Sequence, residues 1–291
     1  MKVYISVDME GIGGINHPAP TDPANVRYPA AVGLMIGEAN AAIEGALAGG
    51  ATEILVNDSH WNMHNLLPED LHPAARVLQG QKVWSMVAGA KPGASPGAGF
   101  GAGPGAGPGP GFGVALFVGY HARAGHPTGT IAHTYTGRPV ETRLNGRLTG
   151  EYGLNALVLG AWGIPVGLVA GDEALADEVA GWLPWAERVV VKEAAGSNAA
   201  ASVHPSIARE RVRAGAERAV RRAIAGGLRT LEVPPPVTIE VEYAKGLVAD
   251  FAASFPGAER FGDRGARFVA PDAETAYRAF LAGNRLAGLV D

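Results

Sequence analysis

Apolar and β-branched residues crowd the first positions of the chain, Lys2-Val3-Tyr4-Ile5-Ser6-Val7, and predict a strand. A proline-rich stretch, 16–29, reads as loop. Over 30–47 the apolar residues return at three- and four-residue intervals, which predicts a helix ended by Gly49-Gly50. Short apolar runs at 53–57 and 114–118 predict buried strands, 151–159 a helix, and 166–170 and 188–191 further strands. In the last third, 206–225 predicts an arginine-rich helix, 237–242 alternates like a strand with one wet face, and 273–281 predicts a closing helix. Strands alternating with helices indicate an α/β protein. A boundary near residue 200 separates a first portion, 1–200, from a C-terminal α+β portion, 201–291, which could belong to the same domain.

The insert at 91–113, KPGASPGAGFGAGPGAGPGPGFG, is low-complexity Gly/Ala/Pro and reads as a flexible surface loop. Its glycines keep no strict period of three, which excludes a collagen helix. The 291 residues, 47% hydrophobic and 18% charged, describe a globular chain with ample core. A net charge of −4 argues against a general nucleic-acid binder. The absence of cysteine removes disulfides, thiolate zinc sites and cysteine nucleophiles. No export signal opens the chain, and no apolar run approaches the roughly 18 residues of a membrane span, so a cytoplasmic protein with no membrane partner is expected.

Open α/β sheets place ligands at the carboxyl ends of their strands. Here the first strand delivers Asp8 and Glu10, the second Asp58-Ser59-His60, and the third Gly119-Tyr120-His121. If these strands are parallel, their ends share a rim where two carboxylates and two imidazoles converge. Those donors suit zinc and its neighbours in a cysteine-free site. Each residue alone has an ordinary alternative: Asp58 as a cap for the following turn, His60 as a turn or core histidine. His133, in the β-prone run Thr130-Ile131-Ala132-His133-Thr134, could point into the same cleft. Glu151, at a predicted helix start, could serve the helix dipole or face outward as a ligand. His17, His64, His72 and His126 read as loop histidines.

Gly11-Ile12-Gly13-Gly14 does not match G-x-G-x-x-G, and two carboxylates beside it would repel a pyrophosphate. The glycines read as letting backbone pass close to a charged centre. No G-x-S-x-G elbow is present. In the arginine-rich helix, Glu217 and Arg221 form an i,i+4 pair, and Val212, Ala216, Val220 and Ala223 form an apolar stripe, so the helix reads as solvated on one face and not as an RNA surface.

The motifs SVDMEGIGG, VNDSHWNMHNL, LHP, FVGYHARAG, AHTYTG and GEYGLNA, in this order, resemble the zinc-dependent D-aminopeptidases of the DppA-like family. The resemblance covers most of 1–200 and, more thinly, the remainder. It implies a three-layer α/β/α fold with a mixed, largely parallel sheet, and a homodecamer of two stacked pentameric rings whose sites face an internal chamber. It implies two zinc ions per subunit held by Asp8, Glu10, His60, His121 and Glu151, with Asp8 bridging them, and places the catalytic histidine at His133, as nucleophile, general base or stabiliser of the tetrahedral intermediate. Two zinc ions would compensate the Asp8–Glu10 repulsion. The expected activity is removal of the N-terminal residue from short D-amino-acid peptides of the D-Ala type. A non-enzymatic peptide-binding or ring-forming scaffold and a metal-dependent phosphoesterase are the alternatives. The chain departs from the family pattern in its Gly/Pro insert and in a one-residue-longer stretch between His121 and His133.

Overall fold

The computed structural model describes residues 1–93 and 111–290, so most of the expected 91–113 loop lies outside the described residues. A central sheet takes β1 (Lys2–Val7), β2 (Glu53–Asp58), β3 (Ala75–Leu78), β4 (Val114–Val118), β7 (Val166–Asp172), β8 (Glu187–Gly196) and β9 (Ala199–Ser202) in the order β3-β2-β1-β4-β7-β8-β9. All neighbours run parallel except β9, which pairs antiparallel with β8. The strands alternate their side chains between two cores. Val3, Ile5 and Val7 of β1 and Val114, Leu116 and Val118 of β4 enter one, while Tyr4, Ala115 and Phe117 enter the other.

The first core is closed by α1 (Tyr28–Gly49) and α4 (Pro205–Ile224), the second by α2 (Glu151–Ala161) and α3 (Glu173–Trp182). The result is the expected three-layer α/β/α arrangement. A smaller antiparallel sheet joins it, built from β5 (Pro139–Leu144), β6 (Arg147–Leu148), β10 (Val237–Tyr243), β11 (Ala258–Phe261) and β12 (Gly265–Ala270) in the order β11-β12-β10-β5-β6. Helices α5 (Gly246–Ala253) and α6 (Ala273–Ala287) pack with it. The hairpin β5–β6 thus lends residues from the middle of the chain to the C-terminal α+β region.

Val212, Ala216 and Val220 of α4 are buried against α1, and Glu217 pairs with Arg221 at 2.9 Å, as the spacing predicts. Gly50, at φ +105°, closes α1 in the left-handed conformation. α1 has the length and apolar composition of a membrane span, although Glu38 and Glu44 interrupt its apolar run. Its apolar face is spent instead on the sheet and α4. The β-prone run at 130–134 forms no strand: Ile131 turns at φ +52° and its N–H donates to Ser197 O at 2.8 Å. Helix α3, which the sequence reading passes over although Leu175, Val179 and Trp182 fall at helical spacing, starts directly from β7, where Asp172 caps it by accepting from Leu175 N–H at 2.9 Å.

At Gly45 the helices α1 and α4 approach backbone to backbone. A β-carbon on Gly45 would stand 2.1 Å from Arg213 O, whereas one on Gly33 would meet nothing within 4 Å. Gly45→Ala is therefore expected to destabilise the subunit by about 2 kcal/mol, because the steric penalty exceeds the gain in helix propensity. Gly33→Ala is expected to stabilise it by about 0.5–1 kcal/mol. Denaturant titrations at equal subunit concentration check both.

Candidate metal centre

The parallel register sets Val7 opposite both Asp58 and Val118, so three strand ends finish level on one rim. Asp8 N–H donates to Val118 O and Ser59 N–H to Val7 O, each at 2.8 Å, extending the pairing past the strands. The first chain then crosses the third, with Gly11 N–H donating to Gly119 O at 2.7 Å. A β-carbon on Gly11 would stand 1.8 Å from Tyr120 O, and one on Gly119, at φ +71°, would stand 2.2 Å from Asp8 O. Only glycine fits such a crossing. It brings Asp8 and Glu10 alongside His121.

All six residues singled out in the sequence meet here. His60 Nδ1 lies 3.0 Å from Glu10 Oε2 and 3.3 Å from Asp8 Oδ1. His121 Nε2 lies 3.5 Å from Asp8 Oδ2 and 3.4 Å from Glu151 Oε1. His133 Nε2 is 3.8 Å from Glu151 Oε1, and its ring stacks on His121 with centroids 4.0 Å apart. Glu151 is the first residue of α2. Five of the six are buried, and only the His133 side chain, 24% exposed, opens to solvent.

Each imidazole uses its second nitrogen on a backbone carbonyl. His60 Nε2 donates to Thr21 O at 3.0 Å, His121 Nδ1 to Ala122 O at 3.0 Å, and His133 Nδ1 to Ile131 O at 2.9 Å. A carbonyl only accepts, so these nitrogens carry hydrogen and the other three face the carboxylates. His121 Nε2 has no hydrogen-bond partner. Bare nitrogen lone pairs facing carboxylate oxygens repel one another unless a cation stands between them.

Protons can be that cation. Burial and the Glu10 charge push Asp8 above the usual carboxylate range. Burial acts likewise on Glu10 and Glu151, but His60 and His121 respectively override it and hold both low. Burial opposes charge on His60 and His121; the Glu10 carboxylate nevertheless raises His60 well above its ordinary value, and Glu151 raises His121 to about 10. His133 is lowered by burial and by the His121 charge, which favours its neutral form.

The spacings fit metal ions as well. Donors bound at about 2.0–2.1 Å around a tetrahedral zinc lie about 3.3–3.4 Å apart, close to the 3.3, 3.4 and 3.5 Å found between His60 and Asp8, His121 and Glu151, and His121 and Asp8. Two groups of side chains could each hold an ion, Asp8 with Glu10 and His121, and His121 with His133 and Glu151. The second takes in His133, which the family resemblance treats as catalytic. His60 falls outside both, yet its Nδ1 touches both carboxylates of the first. Oxygen and imidazole donors without thiolate suit zinc, and metal-binding histidines commonly hold a carbonyl with their second nitrogen.

Buried polar groups support this cluster from below. Ser6 Oγ bonds Ser59 Oγ and Tyr120 OH, each at 2.7 Å, tying together the neighbours of His60 and His121. Asn155 donates to Tyr120 OH at 3.0 Å and accepts from Tyr135 OH and Tyr277 OH, and Tyr135 N–H donates to Glu151 Oε1 at 2.5 Å. Asp58 is a cap, accepting from Asn65 N–H and Leu66 N–H. His17, His72 and His126 accept from backbone N–H groups of their own loops. Lys192, Tyr135 and Asn155 escape the sequence reading. The one signal for Lys192 is a lysine directly after the apolar Val189-Val190-Val191.

A family model described as D-aminopeptidase matches residues 1–98 and 106–282. The chain belongs to the D-aminopeptidase family. The interruption in the family match falls inside the Gly/Pro insert. A D-aminopeptidase of Bacillus subtilis (strain 168) is 35% identical over 295 residues, spanning 99% of this chain and 98% of that protein. The solved structure described as "Zn-dependent D-aminopeptidase DppA from Bacillus subtilis, a self-compartmentalizing protease" superposes with a TM-score of 0.88 at 33% identity, covering 100% of this chain and 99% of that one. In this D-aminopeptidase family member the cluster sits in a cavity of about 1050 Å³ whose walls include Trp61, His126, Tyr135 and Asn198.

Zinc entering the cluster must displace the protons held on His60 and His121. Titrating the metal-free protein with zinc is therefore expected to release protons, and affinity is expected to fall as pH falls, because both compete for the same nitrogens. Calorimetry in buffers of different ionisation enthalpy reads the release. Buffer-independent heats would contradict this protonation pattern.

Proposed function

We propose that this protein is a dinuclear zinc aminopeptidase that removes the N-terminal residue from short D-amino-acid-containing peptides of the D-Ala type. The observation that carries the reading is the donor spacing of about 3.3–3.5 Å among buried carboxylates and imidazoles, in a chain of the D-aminopeptidase family. Asp8, Glu10, His60, His121 and Glu151 would hold the two zinc ions. When bound, zinc supplies Lewis acidity toward the attacking water and the scissile carbonyl.

The remaining chemistry belongs to the chain. His133 donates through Nδ1 to Ile131 O, which leaves the Nε2 lone pair turned toward the cluster. Its lowered pKa suits a base that takes up a proton at Nε2 during attack and returns it to the leaving amine. The free amine of the substrate's first residue would have a metal or a carboxylate to bind at this cluster, which fits attack at the N-terminal bond. The cavity has room for a peptide of several residues. Preference for D-residues rests on the family and on the named relatives.

The relative of known structure is described as self-compartmentalizing, which supports an oligomeric assembly, proposed as a decamer of two pentameric rings acting in the cytoplasm. Catalysis is assigned to the 1–200 portion, with 201–291 as the accompanying α+β portion.

The test is release of D-Ala against L-Ala from matched short peptides, on protein of measured zinc content, before and after chelation. Zinc-dependent release of D-Ala alone is expected, and hydrolysis that survives complete chelation would refute the reading. His133→Ala is expected to keep its zinc and lose about 10²–10⁴-fold in kcat/KM. His60→Ala is expected to lose zinc and activity together, and full activity in that variant would remove His60 from the site.

A further inference from the structure

Lys192 lies on β8 and is 1% exposed, the one buried lysine among the described residues. Its Nζ donates to the backbone carbonyls of Glu10 and Ile15 and, at 3.3 Å, to that of Ile12. An ammonium group has three hydrogens. All three therefore go to one loop, the loop that carries Glu10. Burial pushes Lys192 down to about 8, against the opposing pull of the Asp172, Glu38, Glu10 and Glu173 carboxylates, which favour its ammonium form.

Burying an ammonium group is unfavourable unless its surroundings replace the lost water. A methionine would fill similar space at no such penalty, so the charge itself requires a reason. The loop supplies one. Three carbonyl oxygens converging on a point repel each other, and Gly11, Gly13 and Gly14 give their backbone little resistance to turning away. A cation at the focus reverses the balance. The loop's opposite polarity is held separately, since Gly13 N–H donates to buried Glu38 Oε1 at 2.8 Å. Lys192 thus takes the carbonyls, Glu38 takes an N–H, and the segment from Glu10 to Ile15 is fixed from two sides.

We propose that Lys192 is a positioning residue for the metal centre, a tethered ammonium ion standing where a cage of backbone carbonyls would otherwise take a free monovalent cation. It acts through the Glu10 main chain and touches neither substrate nor reacting atoms. The inference rests on the zinc reading above, and it concerns metal affinity before activity.

The test compares wild type, Lys192→Met and Lys192→Ala by zinc competition against a chromogenic chelator, with circular dichroism and assembly size as controls for folding. Lys192→Met is expected to keep its fold and assembly and to bind zinc at least about tenfold more weakly, in the range seen when groups supporting metal ligands are removed. Lys192→Ala, purified with n-propylammonium, is expected to regain most of that affinity, and equal concentrations of tetramethylammonium are expected to restore none. A packing role alone would give no such selectivity between amines. Wild-type zinc affinity in both variants overturns the proposal. So does a Lys192→Ala protein that fails to fold or to bind zinc in the presence of propylammonium. A wild type that binds no zinc would overturn the functional reading itself, and is told apart because it fails without any substitution.

Discussion

Three carboxylates and three imidazoles cannot share a buried rim unless positive charge is placed among them. Asp8, Glu10 and Glu151 stand within hydrogen-bonding range or little more of His60, His121 and His133, with almost no water to screen them. The rest of the structure can be understood as the apparatus that forces this arrangement and then makes it tolerable. Parallel strands level the three chain ends, glycines allow two of them to cross, and carbonyls of Thr21, Ala122 and Ile131 fix which face of each ring turns inward. The compensating charge then comes from protons or metal ions within the cluster, with the Lys192 ammonium beneath it.

A parallel sheet is suited to this task because neighbouring strands start new loops at the same height. β1 lies between β2 and β4, so the carboxylates that follow it are flanked on both sides by a histidine-bearing loop. The α2 start completes the ring from the far side, and Tyr135 N–H orients its Glu151 carboxylate. The smaller sheet contributes indirectly. Tyr277 of α6 bonds Asn155 of α2, which bonds Tyr120 beside His121, so the C-terminal region buttresses the cluster through an unbroken chain of hydrogen bonds.

Much of this is legible in the sequence alone. Strand ends near residues 7, 57 and 118 announce themselves by short apolar runs, the second strand running one residue further to Asp58, and the donors follow within three residues of each. The stripe on α4 declares its packing face in the same way. What could not be read were interactions that depend on long sequence separation. Lys192 meets Glu10 across 182 residues, and Tyr277 meets Asn155 across 122. The stretch at 130–134 misleads for a different reason: β-branched residues favour extended backbone, yet Ile131 is pulled into a left-handed turn by the fold around it. The β5–β6 hairpin is hidden because its pairing partner, β10, arrives nearly a hundred residues later.

The three imidazoles do not offer the same atom. His60 turns Nδ1 inward, whereas His121 and His133 turn Nε2 inward. Nδ1 sits one bond nearer the main chain, where the amide of an asparagine can overlay it; Nε2 sits farther out, within reach of a glutamine amide. Two residues that look alike in an alignment therefore have different nearest equivalents. Asparagine imitates His60 and glutamine imitates His121, and exchanging those replacements misplaces the donor atom by the length of a methylene group.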